Sequence, residues 1–168
     1  MTTLSGPAEV RKAVELLASR SLIRLVTEID DNGPIPPRGL ARTLPDLAPH
    51  QIRHSSEQAR TIGLVRTRPG AGLVLTEPGR ELADLYDAAA RWSRTHNYPH
   101  ATCGFITRVQ DVLQLLTPVQ DPVAAPSVVP TEAAGDLAHL RAALDRWIGS
   151  HWSGDEQAGA LQCLPETV

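Results

Sequence analysis

The sequence predicts a mainly α-helical fold that carries one small two-stranded β-hairpin and continues into additional C-terminal helices. Three observations lead there. Apolar residues recur at helical spacing along most of the chain, two short β-prone runs flank Pro69-Gly70-Ala71-Gly72, and a proline-rich stretch, TPVQDPVAAPSVVP, sets off a last amphipathic segment.

The 168 residues suffice for one ordinary domain with an appendage rather than two full-sized domains. With 42% hydrophobic and 21% charged residues the chain has a globular composition, and the 4% aromatic share leaves Leu, Val, Ile and Ala to build the core. No apolar run approaches the roughly eighteen residues of a membrane span, so no membrane partner is expected. Arg11, Lys12 and Glu15 lie where a signal peptide needs its apolar stretch, which makes a cytoplasmic location the expectation. Cys103 and Cys163 are too few for a disulfide framework and lack metal-ligand spacing. Arginine outnumbers lysine fifteen to one, a bias that fits a GC-rich, bacterial genome.

Pro7 suits the first position of a helix, and Val10, Val14 and Leu17 then recur on one side, so the first helix runs to about Ser19. A second, buried helix carries Leu22, Leu25, Val26 and Ile29 and stops at Asp30-Asp31-Asn32-Gly33-Pro34. Pro36 and Pro37 can start a helix but not lie inside one, so RGLARTL forms a short helix with Leu40 and Leu44 inward, ended by Pro45. The next helix spans 49–63. At about 100° per residue Ile52, Ser55, Ser56, Ala59 and Ile62 gather on its inner side, and His50, Arg53, His54, Glu57 and Thr61 on its outer side.

Residues 64–68 and 73–76 read as strands joined by the Pro-Gly-Ala-Gly loop. Thr76 then caps a helix that opens with Glu77-Pro78-Gly79, carries Leu82, Leu85, Ala89 and Trp92 as one stripe, and ends near Asn97. The helix at 104–116 bears Phe105, Val109, Val112, Leu113 and Leu116, a stripe that so small a domain is expected to cover only in part, hence a dimer element. Four prolines make 117–130 an extended linker. Beyond it Leu137, Leu140, Leu144, Trp147 and Ile148 share one face of a helix at 131–152, which the linker would let reach a partner subunit. The aperiodic end is expected to be disordered. The expected organisation is a nucleic-acid-binding domain at 1–98, a dimerisation helix at 99–116, a linker at 117–130, an amphipathic helix at 131–153 and a tail at 154–168.

Helix, turn, strand, tight loop, strand and helix start, in that order over 47–79, is the order of a winged helix-turn-helix, with the hairpin as the wing. Charge agrees. Residues 1–100 hold 13 Lys+Arg against 11 Asp+Glu, whereas 101–168 hold 3 against 8. Between Arg38 and Arg68 six arginines face only Asp46 and Glu57, a local excess where a polyanion would dock.

Leu40-Ala41-Arg42-Thr43-Leu44-Pro45, the run from Leu47 through Gly63-Leu64-Val65-Arg66, and Leu75-Thr76-Glu77-Pro78-Gly79 together resemble the HxlR-type winged-helix transcription regulators of bacteria, relatives of the MarR-like repressors. The resemblance covers roughly residues 10–97, and the GLV-R to LT-x-x-G pair is its most specific part. Ser56 and Ala59 stand where that family usually has leucines. The resemblance implies a homodimer whose flanking helices pair across a two-fold axis, each recognition helix in a major groove and each wing beside a phosphate backbone.

The candidate DNA contacts are Arg38, His50, Gln51, Arg53, His54, Glu57, Arg66, Arg68 and Gly70. Arg suits guanine and Gln suits adenine in the major groove, while Arg66 and Arg68 alternate along a strand and could meet consecutive phosphates. Arg38 could join the amides at the start of its short helix in holding a phosphate. The candidate dimer residues are Leu82, Leu85, Trp92, Phe105, Val109, Val112 and Leu116. Trp92, Tyr86, Phe105 and Trp147 could line a pocket for a small-molecule effector. His50 and His54 have the spacing of a zinc pair, but no Glu lies between them and no third ligand is evident, so no metal is expected. There is no phosphate-cradling loop, dinucleotide fingerprint or nucleophile elbow, so neither enzymatic activity nor a cofactor is expected. The expected function is sequence-specific transcriptional regulation on operator DNA. The alternative is a winged-helix protein that acts mainly through protein–protein contact.

Overall fold

The structure, a computed structural model, describes residues 6–117 and 131–152. Residues 118–130 of the expected linker and the tail expected at 154–168 lie outside the described residues. The fold is mainly helical with one two-stranded antiparallel sheet. Helix α1 spans Pro7–Leu17, with its entry closed by the Glu9 carboxylate accepting the Gly6 N–H at 3.1 Å. Helix α2, Arg20–Asn32, ends at Gly33, whose φ of 85° suits glycine. A 3-10 turn, Pro37–Gly39, leads into the short α3, Leu40–Thr43. After α4, Pro49–Thr61, come β1, Val65–Arg68, and β2, Gly72–Leu75. Helix α5 spans Glu77–Thr95, α6 Phe105–Leu116 and α7 Thr131–His151.

Helix α2 sits at the centre, touching α4, β2, α5 and α6, because its Leu22, Ile23, Leu25 and Val26 leave it apolar on more than one side. Tyr86 of α5 is fully buried and donates its hydroxyl to the Leu17 carbonyl at 2.6 Å; burial pushes its phenol well above the ordinary tyrosine range. Strands β1 and β2 pair from Val65↔Leu75 to Arg68↔Gly72. Ile35 adds a one-residue bridge to Leu73, with both of its backbone bonds formed at 3.1 and 2.8 Å. Ile35 carries no strand signal in the sequence, since a single bridging residue has no periodicity.

The join between hairpin and α5 is tight. Thr76 caps α5 by accepting the Gly79 N–H at 3.3 Å, its hydroxyl donates to the Gly63 carbonyl, and its own N–H bonds the Leu64 carbonyl at 2.9 Å. A Cβ on Gly79 would lie 2.1 Å from that Leu64 oxygen. These contacts tie the Gly63-Leu64 segment directly to the Thr76–Gly79 segment.

The residues expected at a dimer interface lie elsewhere. Leu82, Leu85, Trp92, Val109, Val112 and Leu116 are buried within a single chain, and Phe105 is half-buried against the same core. Helix α6 packs on α5, and α7 folds back onto α5 as well, with Leu140, Leu144, Trp147 and Ile148 buried. Each such apolar side chain contributes about 1.5–3 kcal/mol when removed from water. Polar contacts fix the seat of α7: Trp92 Nε1 donates to Ala133 O at 3.1 Å, Trp147 Nε1 to Pro78 O at 3.0 Å, and Arg141 to Leu116 O at 2.7 Å. An amphipathic stripe specifies that something covers it. It does not specify whether that cover is the same chain or another copy.

Arg108 is a second departure from sequence expectation, a buried arginine on α6. Its three side-chain nitrogens donate to Cys103 O, Ser93 Oγ and Ala101 O at 2.9, 2.9 and 2.7 Å, tying the α5–α6 connection to both helices. No helix among the described residues is long and apolar enough to cross a membrane.

Candidate nucleic-acid interface

Helix α4 presents the two faces its periodicity predicts. Ile52, Ser55, Ser56, Ala59 and Ile62 are buried, while His50, Gln51, Arg53, His54, Glu57 and Thr61 are exposed. The small inner residues let α4 pack against α2, and the Ser55 hydroxyl is absorbed by the Ile52 carbonyl at 3.2 Å. Pro49 opens the helix, and Gln51 Oε1 accepts the Ala48 N–H at 2.9 Å. That bond gives Gln51 a structural role beside the base contact expected of it. Bidentate pairing with adenine needs both ends of the amide, and here the oxygen is committed to the helix start.

The 3-10 turn and α3 lie beside α4, and β1 follows α4 through Gly63 and Leu64, whose N–H bonds Ala59 O at 2.8 Å. This connectivity places Arg38 and Arg42 on one side of α4 and Arg66 and Arg68 on the hairpin that leaves its far end. All four are exposed. After Val65 the strand turns outward, so Arg66, Thr67 and Arg68 all face solvent. At the hairpin tip Gly70 has φ 78°, and its position is open space, while a Cβ on Gly72 would lie 2.3 Å from the Ile35 carbonyl. The hairpin loop therefore needs glycine at its tip for conformation and at its base for close approach.

Ion pairing separates the arginines into two groups. Arg24 contacts Glu28 and lies 3.3 Å from Asp46, and Arg20 reaches Asp46 at 3.8 Å. Partial burial works against the charge of Arg24, but the two carboxylates outweigh it and raise its pKa. Arg38, Arg42, Arg53, Arg60, Arg66 and Arg68 make no ion pair among the described residues. Asp46 is thus neutralised from the α2 side. Glu57 is left as the single acid between Arg38 and Arg68 with no basic partner.

A cleft between the 3-10 turn, α3 and α4 brings Arg38, Arg53 and Arg60 together, with Ser56 and Glu57 in its wall. Arg60 and Ser56 were not among the residues expected at the interface. The available signal was helical spacing, since Arg53, Ser56 and Arg60 recur at three- and four-residue intervals on one edge of α4.

Among the described clefts none is lined by more than one of the four aromatic residues expected around an effector. Phe105 lines a cleft with Arg20, Arg24 and Thr27, and Trp147 lines a separate groove with Glu81, Asp84 and His151. Tyr86 and Trp92 belong to the core, with their polar atoms bonded to backbone carbonyls. Comparisons of the chain with protein-family models, with curated proteins and with solved structures return no match.

Proposed function

We propose that the chain is a winged-helix, HxlR-like transcriptional regulator that binds double-stranded DNA through α4 and the β1–β2 wing. The observation that carries this reading is the set of six exposed arginines, from Arg38 to Arg68, that no carboxylate of the described residues neutralises. Neutralising them within the protein would stabilise the fold slightly. Left free, they favour a polyanion by releasing its counterions.

On this reading Arg53, His50 and His54 meet base edges in the major groove, while Arg38, Arg66 and Arg68 position the protein on phosphates. Glu57 excludes wrong bases, because a carboxylate accepts hydrogen bonds and repels acceptor-rich edges. The regulator acts as a homodimer on a palindromic operator. Its two-fold contact lies outside the stripes that α7 and α6 cover within the chain.

A mobility shift with DNA from the protein's own promoter, at two salt concentrations, tests the proposal. Arg53→Ala should cost about 1–3 kcal/mol of discrimination between sites. Arg68→Ala should weaken all duplexes alike and lower the salt slope by about one. Equal losses on every sequence for both variants would remove the base-reading role of α4.

A further inference from the structure

The cleft between the Pro37–Gly39 turn, α3 and α4 has a volume of about 290 Å³. Arg38, Arg53 and Arg60 line it against the single acid Glu57, so its wall is net positive, and none of the three arginines has an ion-pair partner among the described residues. Ser56, also in the wall, is 4% exposed, and its hydroxyl has no hydrogen-bond partner. An unpartnered buried hydroxyl is destabilising, and alanine would fit the same space without that cost. The neighbouring Ser55 shows that this helix can satisfy a buried serine from its own backbone. Ser56 is left with an unpartnered hydroxyl buried behind the wall of a basic cleft.

We propose that this cleft seats one phosphate group. Arg38 from the turn and Arg60 from α4 pair with its oxygens, rotation of the Ser56 side chain turns its buried hydroxyl to donate to the anion, and Arg53 stands on the lip shared with the outer face of α4. Donors arriving from separate elements suit a tetrahedral anion better than a planar carboxylate. The phosphate is a backbone diester of bound DNA or a free phosphate ion, two sources of one chemistry. Only the first source rests on the DNA-binding function proposed above.

The test uses the full chain, Ser56→Ala and Arg60→Gln, in duplex binding across a salt series, thermal melts, and an NMR titration with inorganic phosphate. Ser56→Ala should melt no lower than the parent yet bind duplex more weakly by about tenfold or more, as loss of one hydrogen bond to a charged group implies. Arg60→Gln should bind about five- to tenfold more weakly, with the salt slope reduced by about 0.9. If the parent binds duplex and both variants match it in affinity and slope, the phosphate seat is wrong while the DNA reading stands. If the parent does not bind duplex, the DNA reading falls and the phosphate titration decides. Amide shifts at Arg38 and Ser56 that saturate with phosphate and weaken in Arg60→Gln would keep the cleft as a free-phosphate site; shifts no larger than those from chloride at equal ionic strength would overturn it.

Discussion

Gly79 shows how much a single missing side chain can determine. Its place in the first turn of α5 brings the helix backbone against the Leu64 carbonyl, where a Cβ would lie at 2.1 Å. Backbone, not a flexible side chain, would have to yield. Gly79→Ala should therefore cost about 2–3 kcal/mol in urea unfolding, in the range of overpacked sites, whereas Gly70→Ala at the open hairpin tip should suffer only from its positive φ. A Gly79→Ala variant as stable as the parent would show that the hairpin–helix join is looser than described. The sequence made the cap legible, because Thr76 precedes Glu77-Pro78-Gly79 in a recognisable helix start. It could not reveal the approach of Leu64, which depends on where a strand edge lands in space. Gln51 is a similar case: its type suits a base contact, but its oxygen closes the start of α4 on Ala48.

At the scale of elements, period carried the prediction well and destination did not. The inner and outer faces of α4 follow directly from 3.6-residue spacing, and the hairpin follows from the glycines between two short strands. The apolar stripes of α5, α6 and α7 are equally plain, but spacing points as readily to a second subunit as to the same chain for their cover. In the structure they cover one another, because α7 returns to α5 and anchors on Pro78 through Trp147. Trp147→Ala should remove about 3–5 kcal/mol and strip amide-exchange protection from α7 while α2 and α4 keep theirs. Loss of protection throughout the chain would instead make α7 part of a single cooperative unit. Arg108 was also illegible as a buried residue, since its three acceptors come from the α5–α6 connection and from α5 rather than from any acidic partner in the sequence.

For the whole molecule, the charge is divided between its two ends. Arginines with no ion pair among the described residues lie on the 3-10 turn, α3, α4 and the hairpin, while the chain from Glu77 onward is acidic in composition, so a polyanion is drawn to the first group. Solution mass should correspond to two copies, as a palindromic operator requires. A strictly monomeric protein would remove the dimer from the proposal without touching the arginine face. That face carries the central claim, and the most direct measurement is the affinity of the folded full chain for duplex DNA as a function of salt. Three arginines on phosphates, Arg38, Arg66 and Arg68, each displacing a counterion, predict a log–log slope of about −3 per chain, with tight binding at low salt. A well-folded protein that leaves the duplex unbound at low salt would contradict the claim.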